Sequence, residues 1–159
     1  MSEPIDPGVL ELAQRVFGLA RAGETEELVA YLRERTSPDL PVVTVGFCFG
    51  GSHSWRQSGG ALPLSGCVGF YGRTSRVGEA AHRAALPTLM LIAGADHATP
   101  VEESLALAQT MRAAGADVET AVYDGAPHSF FDRAFGEWAG ACEDAWQHVL
   151  ALTDRVSPR

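Results

Sequence analysis

The run Thr88-Leu89-Met90-Leu91-Ile92 restricts the fold more than any other stretch of the chain. Five residues with no polar alternation cannot form a strand with one wet face; such runs belong to parallel sheets covered by helices on both sides. The run stops at Gly94. Three more segments read as strands: Val42 to Phe47, Cys67 to Tyr71 ending at Gly72, and Val118 to Tyr123. Helical signals lie between and around them. Asp6-Pro7 is an N-cap and N1 pair, followed by Leu12, Val16, Leu19 and Ala20 at helical spacing up to Gly23. Thr25 can cap a short second helix carrying Leu28, Val29 and Leu32, and residues 37–41 read as a loop. Gly51 to Ser58 is a third candidate helix. Thr99-Pro100-Val101-Glu102 combines an N-cap, a proline at N1 and a capping-box glutamate, with Val101, Leu105, Ala108 and Met111 on one face before Gly115. Trp138, Ala141, Cys142, Ala145, Trp146 and Val149 give the last helix its apolar stripe. This alternation implies an α/β fold with a parallel, doubly wound sheet of about four strands. It is expected to be one domain over residues 1–159, with leading helices over 1–40 and the strand-bearing half over 41–159.

With 46% hydrophobic residues in 159, the chain can bury a core. A net charge of −8 argues against an electrostatic grip on nucleic acid or on an anionic membrane surface, and no basic cluster is visible in the sequence. The first twenty residues lack the basic, apolar and small-residue regions of a signal peptide, and no apolar run approaches the ~18 residues of a membrane span. The expected location is the cytoplasm. Cys48, Cys67 and Cys142 are an odd number without CxxC spacing, which fits free thiols in a reducing compartment. All twelve basic residues are arginine and asparagine is absent, a sign of coding bias rather than of thermostability.

In a parallel α/β sheet the chemistry collects at the carboxyl ends of the strands. Cys48 follows the first strand, Asp96 follows the third, and His128 follows the fourth. Nucleophile, acid and histidine in that order match the α/β-hydrolase triad, with Gly46-x-Cys48-x-Gly50 as a cysteine version of the nucleophile elbow. An abrupt strand-to-helix turn crowds the positions two before and two after its apex, so glycine is expected at both. The apical sulfur then sits at a helix N-terminus, where the helix dipole and an imidazole favour thiolate. His128 is expected to activate Cys48 and later protonate the leaving group, and Asp96 to orient the imidazole. The Phe49 backbone N–H is one expected oxyanion donor.

On these residues the chain resembles the dienelactone hydrolase family of α/β-hydrolases. The matching elements are Gly46-Phe47-Cys48-Phe49-Gly50-Gly51, Gly69-Phe70-Tyr71-Gly72, Gly94-x-Asp96-x-x-x-Pro100, His128-Ser129-Phe130 and an aromatic C-terminal helix over Glu137 to Leu152. The resemblance covers nearly everything from about Thr25 onward. It implies a cysteine nucleophile and hydrolysis of a small-molecule lactone or ester, with enol-lactones such as dienelactones as the family substrate and no metal or organic cofactor. Tyr71 and Arg133 are the substrate-contact candidates. The family's sheet has eight strands and four are legible here, so its amino-terminal half is expected to be missing. With that half would go a second oxyanion N–H, a glutamate near the resting cysteine and a substrate arginine. The strand Val42 to Phe47 would then present an open apolar edge, which invites a second copy or a complementing chain. A catalytically silent assembly module is therefore the alternative to an enzyme. The chain would be a fragment, a product of an internal start codon, or one piece of a larger assembly.

Other residues have plainer readings. Cys67 and Cys142 fall in apolar segments as inert core thiols. His97 reads as a solvated loop residue and His53, His82 and His148 as surface groups. Trp138 and Trp146 are expected to share a core-facing helix side. Glu102 and Glu103 complement a helix dipole. Cys48 and His53 lack the further ligands that a metal would need.

Overall fold

Four strands lie side by side in the order in which the chain makes them, all parallel. The computed structural model describes residues 25–37 and 39–157. In it β1 (Val43–Phe47), β2 (Gly66–Phe70), β3 (Thr88–Ala93) and β4 (Val118–Tyr123) form one sheet in the order β1-β2-β3-β4. The register aligns Phe47 with Phe70 and Phe70 with Leu91, so the carboxyl ends of the strands make a common edge.

The helices are α1 (Thr25–Arg35), α2 (Phe49–Gln57), α3 (Val101–Ala113) and α4 (Ala139–Val156), with two short 3₁₀ segments, Thr74–Arg76 and Gly78–Arg83. The chain divides into two compact units, Met1–Leu40 and Pro41–Arg159. In the first, α1 carries Glu26 and Glu27 in its opening turn and Arg33 and Arg35 in its last, charges that complement the helix dipole at each end. The helix expected over Asp6 to Ala20 lies outside the described residues. No helix among the described residues is long and apolar enough to cross a membrane.

The second unit holds the sheet, and β3 shows why it is layered on both sides. All six of its residues are buried. Leu89, Leu91 and Ala93 point into a cluster with Val68, Phe70 and the Cys142, Ala145, Val149 and Leu152 face of α4. Met90 and Ile92 point the other way, into a cluster with Trp55 of α2 and Ala108 and Met111 of α3. Burying each large apolar side chain contributes about 1.5–3 kcal/mol.

Trp55, which the sequence reading did not single out, is the largest fully buried side chain and pins α2 to the sheet. Its indole N–H donates to the Leu89 carbonyl at 3.1 Å. Its ring occupies the space above Gly69, where a Cβ would come within 2.3 Å of Trp55 Nε1.

Several helix details differ from expectation. Helix α2 begins at Phe49 rather than Gly51, so the cysteine itself occupies the N-cap position. The extended backbone of Pro100 takes the N-cap of α3 without a side-chain cap, so Thr99 does not play that part; Glu102 and Glu103 still sit in the first turn. Helix α4 starts at Ala139, with Trp138 at its N-cap and partly buried. Trp146 is not core but 46% exposed, because it lies about 100° around the helix from Ala145 while Cys142, Ala145, Val149 and Leu152 form the buried face. His148 is not a free surface group: its Nδ1 lies 2.6 Å from Glu119 and its Nε2 3.5 Å from Asp144, joining α4 to β4. Asp144 also accepts the Tyr123 hydroxyl at 2.9 Å.

Candidate active site

At the carboxyl edge of the sheet the backbone is forced out of its ordinary regions. The non-glycine residues with positive φ among those described are Cys48 (53°), Tyr71 (37°) and Ser129 (65°). They follow β1, follow β2 and follow His128, so all three adjoin the predicted triad. Such conformations cost of order 1–3 kcal/mol each and persist where the surroundings enforce them.

For Cys48 the enforcement is visible. Its N–H donates to the Phe70 carbonyl at 3.0 Å, extending the β1–β2 ladder one residue past the strand, and its own carbonyl accepts from Ser52 N–H at 3.2 Å as the first turn of α2. The chain therefore turns from strand to helix at a single residue. A Cβ on Gly46 would lie 2.0 Å from the Gly50 carbonyl oxygen, so this position requires glycine. Gly50 departs from the expectation: a Cβ there would meet nothing within 4 Å. The crowded partner is its neighbour Gly51, where a Cβ would come within 2.5 Å of the Phe70 carbonyl oxygen.

Asp96 is held by its own loop. Its Oδ1 accepts the Ala98 N–H at 2.8 Å and its Oδ2 lies 2.6 Å from His128 Nδ1, with the carboxylate almost wholly buried. The acid and histidine loops are tied together where Gly94 N–H donates to the Tyr123 carbonyl and Ala95 N–H to the Ala126 carbonyl, both at 2.9 Å. His128 Nε2 then lies 3.1 Å from Cys48 Sγ. In the tautomer whose Nδ1–H donates to Asp96, Nε2 is the acceptor that faces the thiol. The arrangement can pass the sulfur's proton to the imidazole and stabilise the resulting cation.

The remaining sequence-predicted residues fall as follows. Phe49 opens α2, and its N–H has no acceptor within the helix. Tyr71 stacks obliquely against His128, ring centres 5.0 Å apart, and lines the same cleft as Cys48 and His128. Its hydroxyl is buried without a hydrogen-bond partner among the described residues, and burial, reinforced by nearby Asp132, Cys48 and Cys142, pushes the phenol's pKa well up. Arg133 is exposed and does not line the cleft; its N–H bonds to the Asp132 carboxylate. Cys67 and Cys142 are buried, and burial raises both thiols, Cys67 to about 11.

Two arginines were missed. Arg73 and Arg76 line the cleft of about 170 Å³ over Cys48, delivered by the irregular segment after β2 that carries no periodic signal. Beneath the site Phe47, Phe70 and Phe131 pack as an aromatic group, with ring centres 4.6 Å apart for Phe47–Phe70 and for Phe70–Phe131. No group of three or more histidine, cysteine or acidic side chains gathers in metal-holding geometry among the described residues.

Comparison with known proteins gives the following. The model of the dienelactone hydrolase family matches residues 9–157. A protein of Saccharolobus solfataricus provisionally named carboxymethylenebutenolidase is 37% identical over 118 residues, covering 73% of this chain and 45% of that protein. One from Yersinia pestis with the same provisional name is 33% identical over 117 residues, covering 66% of this chain and 43% of its own length. The chain thus spans about half the length of these curated relatives. A crystal structure from Klebsiella pneumoniae, provisionally assigned as a dienelactone hydrolase, superposes with a TM-score of 0.67 at 24% identity, over 80% of this chain and 58% of that one, and shows the shared fold.

Proposed function

This chain belongs to the dienelactone hydrolase family, and we propose on that basis that it cleaves a small lactone or carboxylic ester with Cys48 as nucleophile, His128 as acid and base, and Asp96 as the group that orients the imidazole. The observation that supports this reading most is the continuous contact from Cys48 Sγ to His128 Nε2 at 3.1 Å and from His128 Nδ1 to Asp96 at 2.6 Å. In the proposed reaction His128 takes the thiol proton as sulfur adds to the carbonyl carbon. The oxyanion forms against the Phe49 N–H. His128 returns the proton to the leaving alkoxide or enolate oxygen, the C–O bond breaks, and an acyl-thioester remains. Water, deprotonated by His128, then adds to the thioester and releases the acid and the thiol. Tyr71, whose ring lines the cleft beside His128, would pack against bound substrate.

The test is hydrolysis of 4-nitrophenyl acetate and of a simple enol-lactone by the purified chain. The expected results are a thioester mass trapped on Cys48 and loss of turnover in Cys48→Ala. Full activity in Cys48→Ala would sink the reading.

One observation supports a second reading. Strand β1 has a neighbour on one side only among the described strands, and Val45 and Phe47 are exposed on it. In that reading the edge pairs with another chain, and light scattering would find a dimer or higher form. A monomer that turns over esters would exclude it.

A further inference from the structure

Phe49 stands between two clefts. The cleft of about 170 Å³ over Cys48 is lined by Phe49, Tyr71, Arg76 and His128 among others, and its neighbour of about 210 Å³ by Phe49, Ser52, His53, Arg56 and Arg76. Only Phe49 and Arg76 line both. Phe49 is 63% exposed and belongs to neither core cluster, yet its ring is held. The Arg76 guanidinium lies over it, 5.0 Å from the ring centre, and the His53 ring, four residues on in α2, lies parallel to it within 8° at 6.3 Å. Cation–π and ring–ring contacts at these distances are attractive, and side chains four apart on a helix are neighbours.

The segment that carries Arg76 is itself fastened. Arg73 N–H donates to the Ser52 hydroxyl at 2.7 Å, and the Thr74 hydroxyl donates to Glu103 of α3 at 3.2 Å. Ser52 is buried, and its own N–H donates to the Cys48 carbonyl at 3.2 Å. The turn at Cys48, the ring that follows it and the arginine over that ring are thus built on one another. A large apolar side chain kept in this place adds nothing to the core. Its effect falls on the space to either side: the ring divides the room beside Cys48 from the room beside Arg56.

We propose that Phe49 sets the length of the acyl chain that the site accepts, its ring closing the far side of the Cys48 cleft so that short-chain esters and small lactones fit and longer acyl groups gain nothing. This inference rests on the reading of Cys48 as the nucleophile. His128 lines the first cleft and not the second, and the leaving oxygen must stay within reach of His128 to receive its proton. The portion of the substrate directed toward Phe49 is therefore the acyl one. The cleft over Cys48 is also smaller than the roughly 300–1,000 Å³ of pockets that enclose drug-sized ligands. Removing the ring joins the two clefts, and a chain long enough to pass then meets surface that it cannot reach in the wild type. Each methylene newly buried is worth roughly fourfold in affinity.

The experiment reads kcat/KM for 4-nitrophenyl hexanoate divided by that for 4-nitrophenyl acetate. In the wild-type chain the ratio should be near one or below. Phe49→Ala should raise it about tenfold or more, as two or more buried methylenes allow, and Phe49→Trp should not raise it. Arg76→Ala, which takes the guanidinium off the ring, should raise it by a smaller factor; both substrates are uncharged, so the lost charge leaves the ratio alone. Lengthening the alcohol instead, hexyl acetate against methyl acetate, should give a ratio that Phe49→Ala does not change. A wild-type ratio above about ten, a ratio that Phe49→Ala leaves unmoved, or a rise on the alcohol side overturns the proposal. Alkylation of Cys48 needs no turnover and so separates this inference from the catalytic one. The rate with N-hexyl iodoacetamide over that with iodoacetamide, each normalised to glutathione, should rise about tenfold in Phe49→Ala, which upholds the limit even if the wild type hydrolyses no ester. An unmoved alkylation ratio overturns it even if the wild type does.

Discussion

Strands β1 and β3 are both short parallel strands, and each delivers one predicted triad residue from its carboxyl end, yet they are held in opposite ways. All six residues of β3 are buried between two helical layers, and Asp96 follows it into a buried, doubly hydrogen-bonded position. Strand β1 has one neighbour among the described strands, exposes Val45 and Phe47, and still places Cys48 within 3.1 Å of His128. Coverage of the sheet therefore cannot be what positions the sulfur. Local fixation does it: the Cys48 to Phe70 hydrogen bond, the glycine contacts at Gly46 and Gly51, and the Trp55 anchor that clamps α2 onto β2 and β3. The proposed acid is set by a core, whereas the proposed nucleophile, which must stay accessible, is set by a rigid turn.

The largest expected effect probes the link between the two strands. Asp96→Asn should leave the fold intact and lower ester turnover by on the order of 10⁴, the loss seen when a triad carboxylate is neutralised in a serine protease. A loss below tenfold would mean that the buried acid does not govern His128. Next, Trp55→Ala should cost about 3–5 kcal/mol in urea unfolding, since it opens a cavity and leaves the Leu89 carbonyl short of its donor. A cost under 1 kcal/mol would show that α2 is held elsewhere.

Alkaline stability sharpens the buried side of the comparison. Burial raises the Cys67 thiol from 9.0 to about 11, against a smaller opposing hydrogen bond from Thr44, and desolvation pushes Tyr71 and Tyr123 up as well. The unfolded chain loses these protons first, so stability should be full below about pH 9 and fall as pH rises toward 11. Cys67 alone would account for roughly 3 kcal/mol. Urea midpoints under reducing conditions at pH 8 and pH 11 check this, and Cys67→Ala should flatten the decline. The smallest effect belongs to the open strand. Val45→Lys should change stability by no more than about 0.5 kcal/mol, while Leu91→Ala in β3 should cost about 2–5 kcal/mol. Equal costs would erase the distinction between the two strands.

Sequence and structure agree where one physical signal dominates. The unbroken apolar run over Thr88 to Ile92 could only be a doubly covered strand, and the glycine-cysteine turn and the positions of Asp96 and His128 after their strands placed all three at one edge. What escaped notice had no periodicity to betray it. Trp55 stands among small and polar residues in its helix, six positions after Phe49, and its role depends on a glycine in the next strand, Gly69. Arg73 and Arg76 sit in an irregular segment whose path only tertiary packing decides. Trp146 was misplaced because a stripe drawn across neighbouring positions merges two helix faces that are about 100° apart. Gly50 was credited with a crowding that belongs to Gly51.

The most direct test of the central claim is the rate at which iodoacetamide alkylates each cysteine at neutral pH, read by peptide mass spectrometry against glutathione in the same tube. Cys48 is exposed, Cys67 and Cys142 are buried, and His128 Nε2 faces only the first. The account expects one fast site, Cys48, reacting well ahead of glutathione and slowing toward it in His128→Ala, with the other two silent until the chain unfolds. A Cys48 that reacts no faster than glutathione, or at the same rate without His128, would contradict it.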